Sequence, residues 1–279
     1  MATRQPRSKV KHPVLARRQR CRPAIPLRPR LFASIVRAAV SSSGRVPVTT
    51  KLRLGIDDAL ITFLSAGRIA EAEGSSAVGL HARTAAQLYD GAARWEAIGE
   101  LKAALRVPVL GNGDVWEAAD ALRMLRATRC DGVIVGRGCL GRPWLFRDLA
   151  DVFDGRLPAD PPALGEVVRV MLGHARRLSD WMGEPHAMRN FRKHASWYTK
   201  GFRGSAELRA RLMQVRTFSE LEALLAALDP AEPFPATAMR VPRGKHSGTQ
   251  KVSLPEGWLE NPEDATPPGI EAEDVSSGG

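Results

Sequence analysis

The 279-residue sequence has only three cysteines, Cys21, Cys130 and Cys139. So sparse and odd a set argues against a disulfide scaffold and fits a reducing compartment, so the chain is expected to be cytoplasmic. No run approaches the roughly 18 to 20 apolar residues that a membrane span needs, which speaks against a membrane partner. Acidic residues are missing altogether before Asp57, while Lys and Arg recur from Arg4 to Arg53. That stretch also carries Pro6, Pro13, Pro23, Pro26 and Pro29, which would interrupt the amphipathic helix of a transit peptide.

What is present in excess is positive charge. Forty-one Lys and Arg stand against 30 Asp and Glu, a net charge of +11. Such a balance favours polyanionic partners, nucleic acid or an anionic membrane surface. Hydrophobic residues make up 44% of the chain, enough for a substantial core.

Residues 1–30 show no sustained period of 3.6 or 2, and are expected to form a disordered basic leader. From Leu31 the texture changes. Leu31, Ile35, Val36 and Ala39 mark a short amphipathic helix that ends near the serine-rich stretch at 41–44. An α/β rhythm follows, with strands expected at 46–52, 77–80, 107–110 and 132–135. The helices between them are expected at about 58–73, 95–105 and 115–127, with a short one starting near Pro143. Short apolar strands alternating with amphipathic helices imply a parallel sheet covered by helices. Four βα units fit a doubly wound sheet or half of an eight-stranded barrel, and periodicity does not choose between them. A Pro-rich linker at 157–162 leads to helices at about 163–182, 185–199, 204–215 and 217–228. From Asp229 onward Pro, Gly, Ser and acidic residues take over, and a disordered tail is expected. The boundaries are therefore 1–30, 31–156, 157–228 and 229–279.

Polar and glycine-rich residues cluster where each strand meets its loop, the end at which parallel α/β folds carry their sites. Lys51 ends the first strand and His81-Ala-Arg-Thr follows the second. Gly111-Asn-Gly-Asp follows the third and Gly136-Arg-Gly the fourth. The glycines either make tight turns or permit close approach of a ligand. Backbone N–H groups at a helix start bind phosphate, and Arg137 adds a forked, permanently charged donor. A lysine at the end of an apolar strand needs an anion or solvent, and could stabilise negative charge on a reduced ring. His81 is a structural histidine or a hydrogen-bond donor on the same rim.

These segments, in order and spacing, resemble the tRNA-dihydrouridine synthases. The residues that carry the likeness are Val46-Pro-Val-Thr-Thr-Lys-Leu-Arg-Leu-Gly, His81-Ala-Arg-Thr-Ala-Ala-Gln-Leu-Tyr-Asp-Gly, Pro108-Val-Leu-Gly-Asn-Gly-Asp and Cys130-Asp-Gly-Val-Ile-Val-Gly-Arg-Gly-Cys-Leu-Gly-Arg-Pro-Trp-Leu-Phe. The helical part adds Arg189-Asn-Phe-Arg-Lys-His-Ala-Ser-Trp-Tyr-Thr-Lys-Gly, similar to the family's tRNA-recognition domain. The resemblance implies an α/β fold: a partial (β/α)8 TIM barrel holding the last four βα units, then a small all-α helical bundle. It implies FMN as cofactor, NADPH as reductant, and reduction of the uracil C5–C6 bond in tRNA. Lys51 would contact the flavin ring and His81 would lie beside it. Asn112, Gly113 and Asp114 would line the cofactor, while Gly136 and Arg137 would hold its phosphate. Arg189, Arg192, Lys193, His194 and Lys200 are the RNA-contact candidates, and Trp197 and Tyr198 are expected in the core.

Three elements of the family pattern are not found. These are the Ala-Pro-Met opening, the glutamine of the third strand, and the Asn-x-x-Cys-Pro loop that supplies the catalytic acid. Cys21 stands in Arg20-Cys-Arg-Pro, and Cys130 and Cys139 flank the last strand, so no catalytic residue is assigned. Half a barrel would leave an open edge that favours self-association, and a truncated or frameshifted gene would account for the leader. Two other readings are a non-enzymatic RNA-binding remnant and an FMN barrel acting on a small molecule. The Arg-Lys-His-x-x-Trp-Tyr helix speaks against the second.

Overall fold

The computed structural model describes residues 22–244 and 248–267; Cys21 and most of the expected leader lie outside them. A 3₁₀ turn at Arg22–Leu27 leads into α1 (Pro29–Ser42). There follow β1 (Thr49–Arg53), α2 (Phe63–Ala72), β2 (Ala77–His81), α3 (Glu96–Ala104), β3 (Val109–Asn112), α4 (Ala118–Thr128) and β4 (Gly132–Ile134). After a second 3₁₀ turn (Arg137–Cys139) come α5 (Leu145–Phe153), α6 (Leu164–Met182), α7 (Glu184–Tyr198), α8 (Ser205–Leu212) and α9 (Phe218–Ala226).

The four strands form one parallel sheet in chain order, β1-β2-β3-β4. A doubly wound sheet reverses its strand order at a switch point, whereas each strand here lies beside its predecessor, the order of a barrel sector. β1 and β2 pair with Lys51 opposite Gly79 and Arg53 opposite His81.

The chain divides into two compact units, and the division falls inside β3 rather than at the Pro-rich linker. One unit comprises the described residues up to Leu110 and from Gly248 on. Its centre is β2, buried at every position. Small residues let helices approach: a Cβ on Gly67 of α2 would stand 2.6 Å from Leu101 Cδ1 of α3. The Glu71 carboxylate accepts the N–H groups of Arg106 (2.7 Å) and Val107 (2.9 Å), fixing the entry to β3.

The other unit takes the described residues from Gly111 on to Gly244. Leu164, Val167, Met171 and Ala175 of α6 recur at helical spacing and face Ala187, Met188, Phe191, Ala195 and Tyr198 of α7 across a shared core. Gly183 alone joins the two helices at φ +80°, a conformation that a side chain would strain.

Two expectations are corrected. Residues 22–30, read as disordered, form the first turn and the start of α1, with Leu31 and Ala24 packed on Trp258. The tail read as disordered from Asp229 is ordered through 244 and again over 248–267. Trp258 is 3% exposed, and Gln250 donates its backbone N–H to Ala86 O at 2.7 Å. Low apolar content did not signal this order, because single residues such as Phe234, Ala238 and Trp258 anchor these segments.

Candidate functional site

Lys51 and His81 belong to the first unit. Side chains alternate along a strand, so Lys51 and Arg53 share a face of β1, and their partners Gly79 and His81 share that face of β2. Leu52 and Leu80 take the opposite, buried face. Lys51 sits at the middle of β1, not at its end as expected; Arg53 ends the strand. Gly79 brings no side chain to the position opposite Lys51.

Lys51 is exposed by surface area, yet enough protein surrounds its ammonium to pull its pKa down to about 8, with the Arg53 charge as a second cause. His81 is buried, its ring 6.3 Å from that of Tyr89. Arg53 donates to Thr84 O (2.9 Å) and Leu88 O (3.2 Å), and Arg83 to Asp90 O (3.2 Å) and Gly91 O (2.5 Å). These two guanidiniums shape the loop after β2. No role was assigned to either from sequence, although Arg53 stands two residues after Lys51 and Arg83 two after His81.

Asn112, Gly113, Asp114, Gly136 and Arg137 belong to the second unit. Asn112 ends β3 and donates its amide N–H to Ile134 O at 2.7 Å, which ties the loop after β3 to β4. Gly113 (φ +134°) and Asp114 (φ +55°) turn the chain sharply there. Aspartate is among the few non-glycine residues that tolerate that region. Gly138 is buried, and a Cβ on it would stand 2.1 Å from Val115 O, so the two loops meet backbone to backbone. Gly136 differs: it is exposed, and a Cβ on it would meet nothing within 4 Å. The Arg137 guanidinium lies over the Trp116 ring at 5.4 Å, which orients its fork.

The entry to α4 is capped from within the chain. Asp120 Oδ2 accepts the N–H groups of Trp116 and Glu117, both at 2.9 Å, and Asp120 is 1% exposed. Those two amides, which lead into α4, are therefore spent on a carboxylate of the chain itself.

On α7, Arg189 and Lys193 are exposed, while Arg192 spends Nε on Val215 O at 3.0 Å. Lys200 donates Nζ to Pro242 O at 2.8 Å, and burial lowers its pKa. His194 stacks within an aromatic cluster, 4.8 Å from both His174 and Trp197. Burial, then the neighbouring His174 and Lys193, pull its pKa down to about 4, so it is neutral near pH 7. Tyr198 is buried and Trp197 half-buried. Among the described cysteines, Cys130 is buried. Cys139 points Sγ at Gly136 O (3.1 Å), and burial pushes its thiol pKa up.

Comparison with known proteins gives a consistent result. A family model described as Dihydrouridine synthase matches residues 23–232. The chain is 51% identical over 259 residues to a probable tRNA-dihydrouridine synthase of Mycobacterium leprae, covering 92% of this chain and 67% of that protein. Against the Mycobacterium tuberculosis H37Rv counterpart it is 51% identical over 260 residues, covering 92% and 66%. Against tRNA-dihydrouridine synthase B of Pseudomonas putida it is 40% identical over 187 residues, covering 66% and 55%. The chain thus spans about two thirds of the mycobacterial relatives and little more than half of the Pseudomonas one.

Proposed function

The chain belongs to the dihydrouridine synthase family, and we propose that its residues serve the reduction of a uracil C5–C6 bond in tRNA. The observation that carries the reading is the shared face of β1 and β2, on which Lys51 and His81 stand with bare Gly79 opposite the lysine. The shared face offers a flat ring a cation and an imidazole, and within the second unit the space beyond Gly136 is open to a phosphate.

FMN, when bound, supplies a hydride to the base and is reloaded by NADPH. The Lys51 ammonium sets positive charge against the ring edge that becomes electron-rich, and His81 donates a hydrogen bond beside it. Asn112, Gly113 and Asp114 line the cofactor. Gly136 lets its phosphate approach, and Arg137 offers a forked donor held by Trp116. Neither described cysteine is assigned the proton that C5 receives, because Cys130 is buried and Cys139 holds its proton toward a carbonyl of its own loop.

The four strands act as a sector of a (β/α)8 barrel, and α6 to α9 as the bundle that recognises tRNA. Arg189 and Lys193 meet the phosphate backbone directly, and a target base leaves its stack to reach the ring. Arg192, Lys200 and His194 have weaker claims, since each is engaged within the fold. β1 and β4 are the outer strands of the four described, so each offers a ladder edge to a further strand, a second copy of this chain included.

The test is the visible absorption spectrum of the purified chain after FMN is added and the excess removed. A retained flavin band supports the cofactor reading. A colourless protein overturns it, and salt-sensitive tRNA binding by that protein would select the non-enzymatic RNA-binding reading instead.

A further inference from the structure

Trp181, in the last turn of α6, is 79% exposed, whereas Trp144 and Trp258 are 8% and 3% exposed. An indole carries one of the largest apolar surfaces of any side chain and is ordinarily well buried. The core of the second unit makes no use of this one, and nothing in the chemistry above does either.

Helical spacing places it. α6 and α7 run antiparallel through the single residue Gly183, and Val167, Met171 and Ala175 share a core with Phe191, Ala195 and Tyr198. His174 stands at the edge of that seam, its ring 4.8 Å from that of His194 on the facing helix. Trp181 follows His174 by two helical turns, so both lie on the same flank of α6. On α7, Asn190 precedes His194 by one turn, and its amide reaches Met182 Sδ, beside Trp181, at 3.5 Å. The opposite flank is covered by the segment between α8 and α9. There Arg192 donates to Val215 O, Arg176 lies 4.4 Å from the Phe218 ring centroid, and Glu184 accepts the Phe218 N–H.

The charge beside Trp181 is of one sign. Arg177 precedes it by one turn, Lys193 precedes His194 by one residue, and both are exposed. Burial and then the Arg177 charge lower the His174 pKa, and burial, His174 and then Lys193 lower that of His194, so both cations border the seam. Two acids lie between Gly173 and Tyr198. Glu184 is committed to the far flank, and Asp180 falls on the outer face of α6.

This combination selects a class of partner. A protein interface is built around a contiguous apolar centre, and Trp181 is the only large hydrophobic residue left exposed on α6 or α7. A flat π face bordered by cations instead matches RNA, whose base stacks on the ring while the adjoining phosphates meet the charges. The base must be unpaired, since bases within a duplex already stack on one another.

We propose that Trp181 is a stacking platform for an unpaired base of the bound RNA, with Arg177 and Lys193 holding the adjoining phosphates. The inference rests on the tRNA reading above and adds to it a contact that recognises a base rather than charge.

The test compares binding of the full chain to a tRNA transcript and to a blunt RNA duplex, which offers phosphates without a free base. Trp181→Ala should weaken tRNA binding about tenfold, within the range for one base stacked on an aromatic ring. The slope of log affinity against log salt should not change, because no phosphate contact is lost. Trp181→Phe should restore most of the affinity, and the duplex should bind all three proteins alike. Equal tRNA affinity in parent and Ala variant would overturn the stacking role and leave the tRNA reading standing. An equal loss on the duplex would also overturn it, as would a dimeric parent made monomeric by Trp181→Ala in light scattering, which assigns the indole to contact between copies. A parent chain that binds no tRNA overturns both readings. Should Trp181→Ala fail to fold, oxidation of the unmodified chain by N-bromosuccinimide, mapped by mass spectrometry, decides the matter. Protection of Trp181 by tRNA supports the site, and oxidation at the rate of the free chain refutes it.

Discussion

Trp258 donates its indole N–H to the carbonyl of Ala24 at 3.0 Å, across 234 residues of chain. The same ring carries the Arg28 guanidinium 4.0 Å from its centroid, and Arg28 in turn donates Nε to Trp258 O and Nη1 to Asp264. The two ends of the described chain are thus stapled through one aromatic residue. Truncating Trp258→Ala removes a buried aromatic, its hydrogen bond and the partner of a buried arginine, so a loss of about 3–5 kcal/mol is expected. Urea unfolding of the variant measures it. Leu259→Ala, at a residue 50% exposed, should stay within about 0.5 kcal/mol of the parent. Equal effects from the two would mean that the staple contributes no more than its surroundings.

That staple also marks where sequence reasoning stopped. Each of the four strands and the helices from α1 to α9 was legible, because Leu164, Val167 and Met171 or the all-apolar strand Ala77–Leu80 announce themselves by local spacing. Trp258 and Arg28 announce nothing locally; each reads as a polar or isolated residue until its partner is supplied from the far end of the chain. The candidates Lys51, His81, Asn112 and Arg137 were picked out by the same local reasoning, from their places in or beside the strands. What could not be read is which donors are already spent. That Asp120 accepts the amides of Trp116 and Glu117 ahead of α4, or that Arg192 is bound to Val215 O, depends on contacts that spacing does not encode.

Gly136 and Gly138 separate a ligand role from a packing role within one turn. Gly138→Ala drives a Cβ to 2.1 Å from Val115 O, backbone that cannot rotate away, and about 1–3 kcal/mol of stability should be lost. Gly136→Ala meets no atom within 4 Å and should cost less stability, yet weaken FMN retention if a phosphate approaches there. Thermal unfolding and flavin titration on both variants distinguish the roles. Full FMN retention in a folded Gly136→Ala protein would remove Gly136 from the site.

Lys51 supplies a pH signature. With its pKa at about 8, the side chain is mostly protonated at pH 7 and loses its charge as pH rises through 8. FMN affinity should fall over that range, with the midpoint displaced above 8, because a bound anionic ring raises the pKa of the ammonium that faces it. Lys51→Met should lower affinity about tenfold, the scale of one charge-assisted contact, and flatten the pH dependence. An unchanged pH profile in the variant would show that the lysine does not face the ring.

The histidine pair predicts an acid limb in stability. His194 titrates at about 4 in the folded chain against 6.5 unfolded, and burial lowers His174 as well, its Nδ1 lying 3.2 Å from the Tyr198 hydroxyl. Both are depressed, so between pH 6.5 and 4 the unfolded chain binds more protons and stability falls as pH falls. Above pH 6.5 both states hold neutral imidazoles and the contribution is flat. His194→Phe, which keeps the aromatic stacking, should flatten the acid limb when Tm is followed against pH. A limb of unchanged slope would assign it to the carboxylates instead.

Exposure divides the basic residues of α7 by what their removal should do. Arg189 and Lys193 reach solvent and make no hydrogen bond that fixes them among the described residues, so their charge is available to phosphate. Each phosphate contact contributes about 0.7 to 0.9 to the slope of log affinity against log salt. Arg189→Ala with Lys193→Ala should therefore weaken tRNA binding evenly across sequences and reduce that slope by about 1–2, leaving Tm near the parent value. Arg192→Ala should behave in the opposite way, since its Nε holds Val215 O at 3.0 Å and its loss leaves that carbonyl without the contact. Its Tm should drop while the salt slope moves little. A double variant with an unaltered slope would mean that tRNA is held on another face of the protein, and the family's recognition helix would have to be sought elsewhere in the bundle.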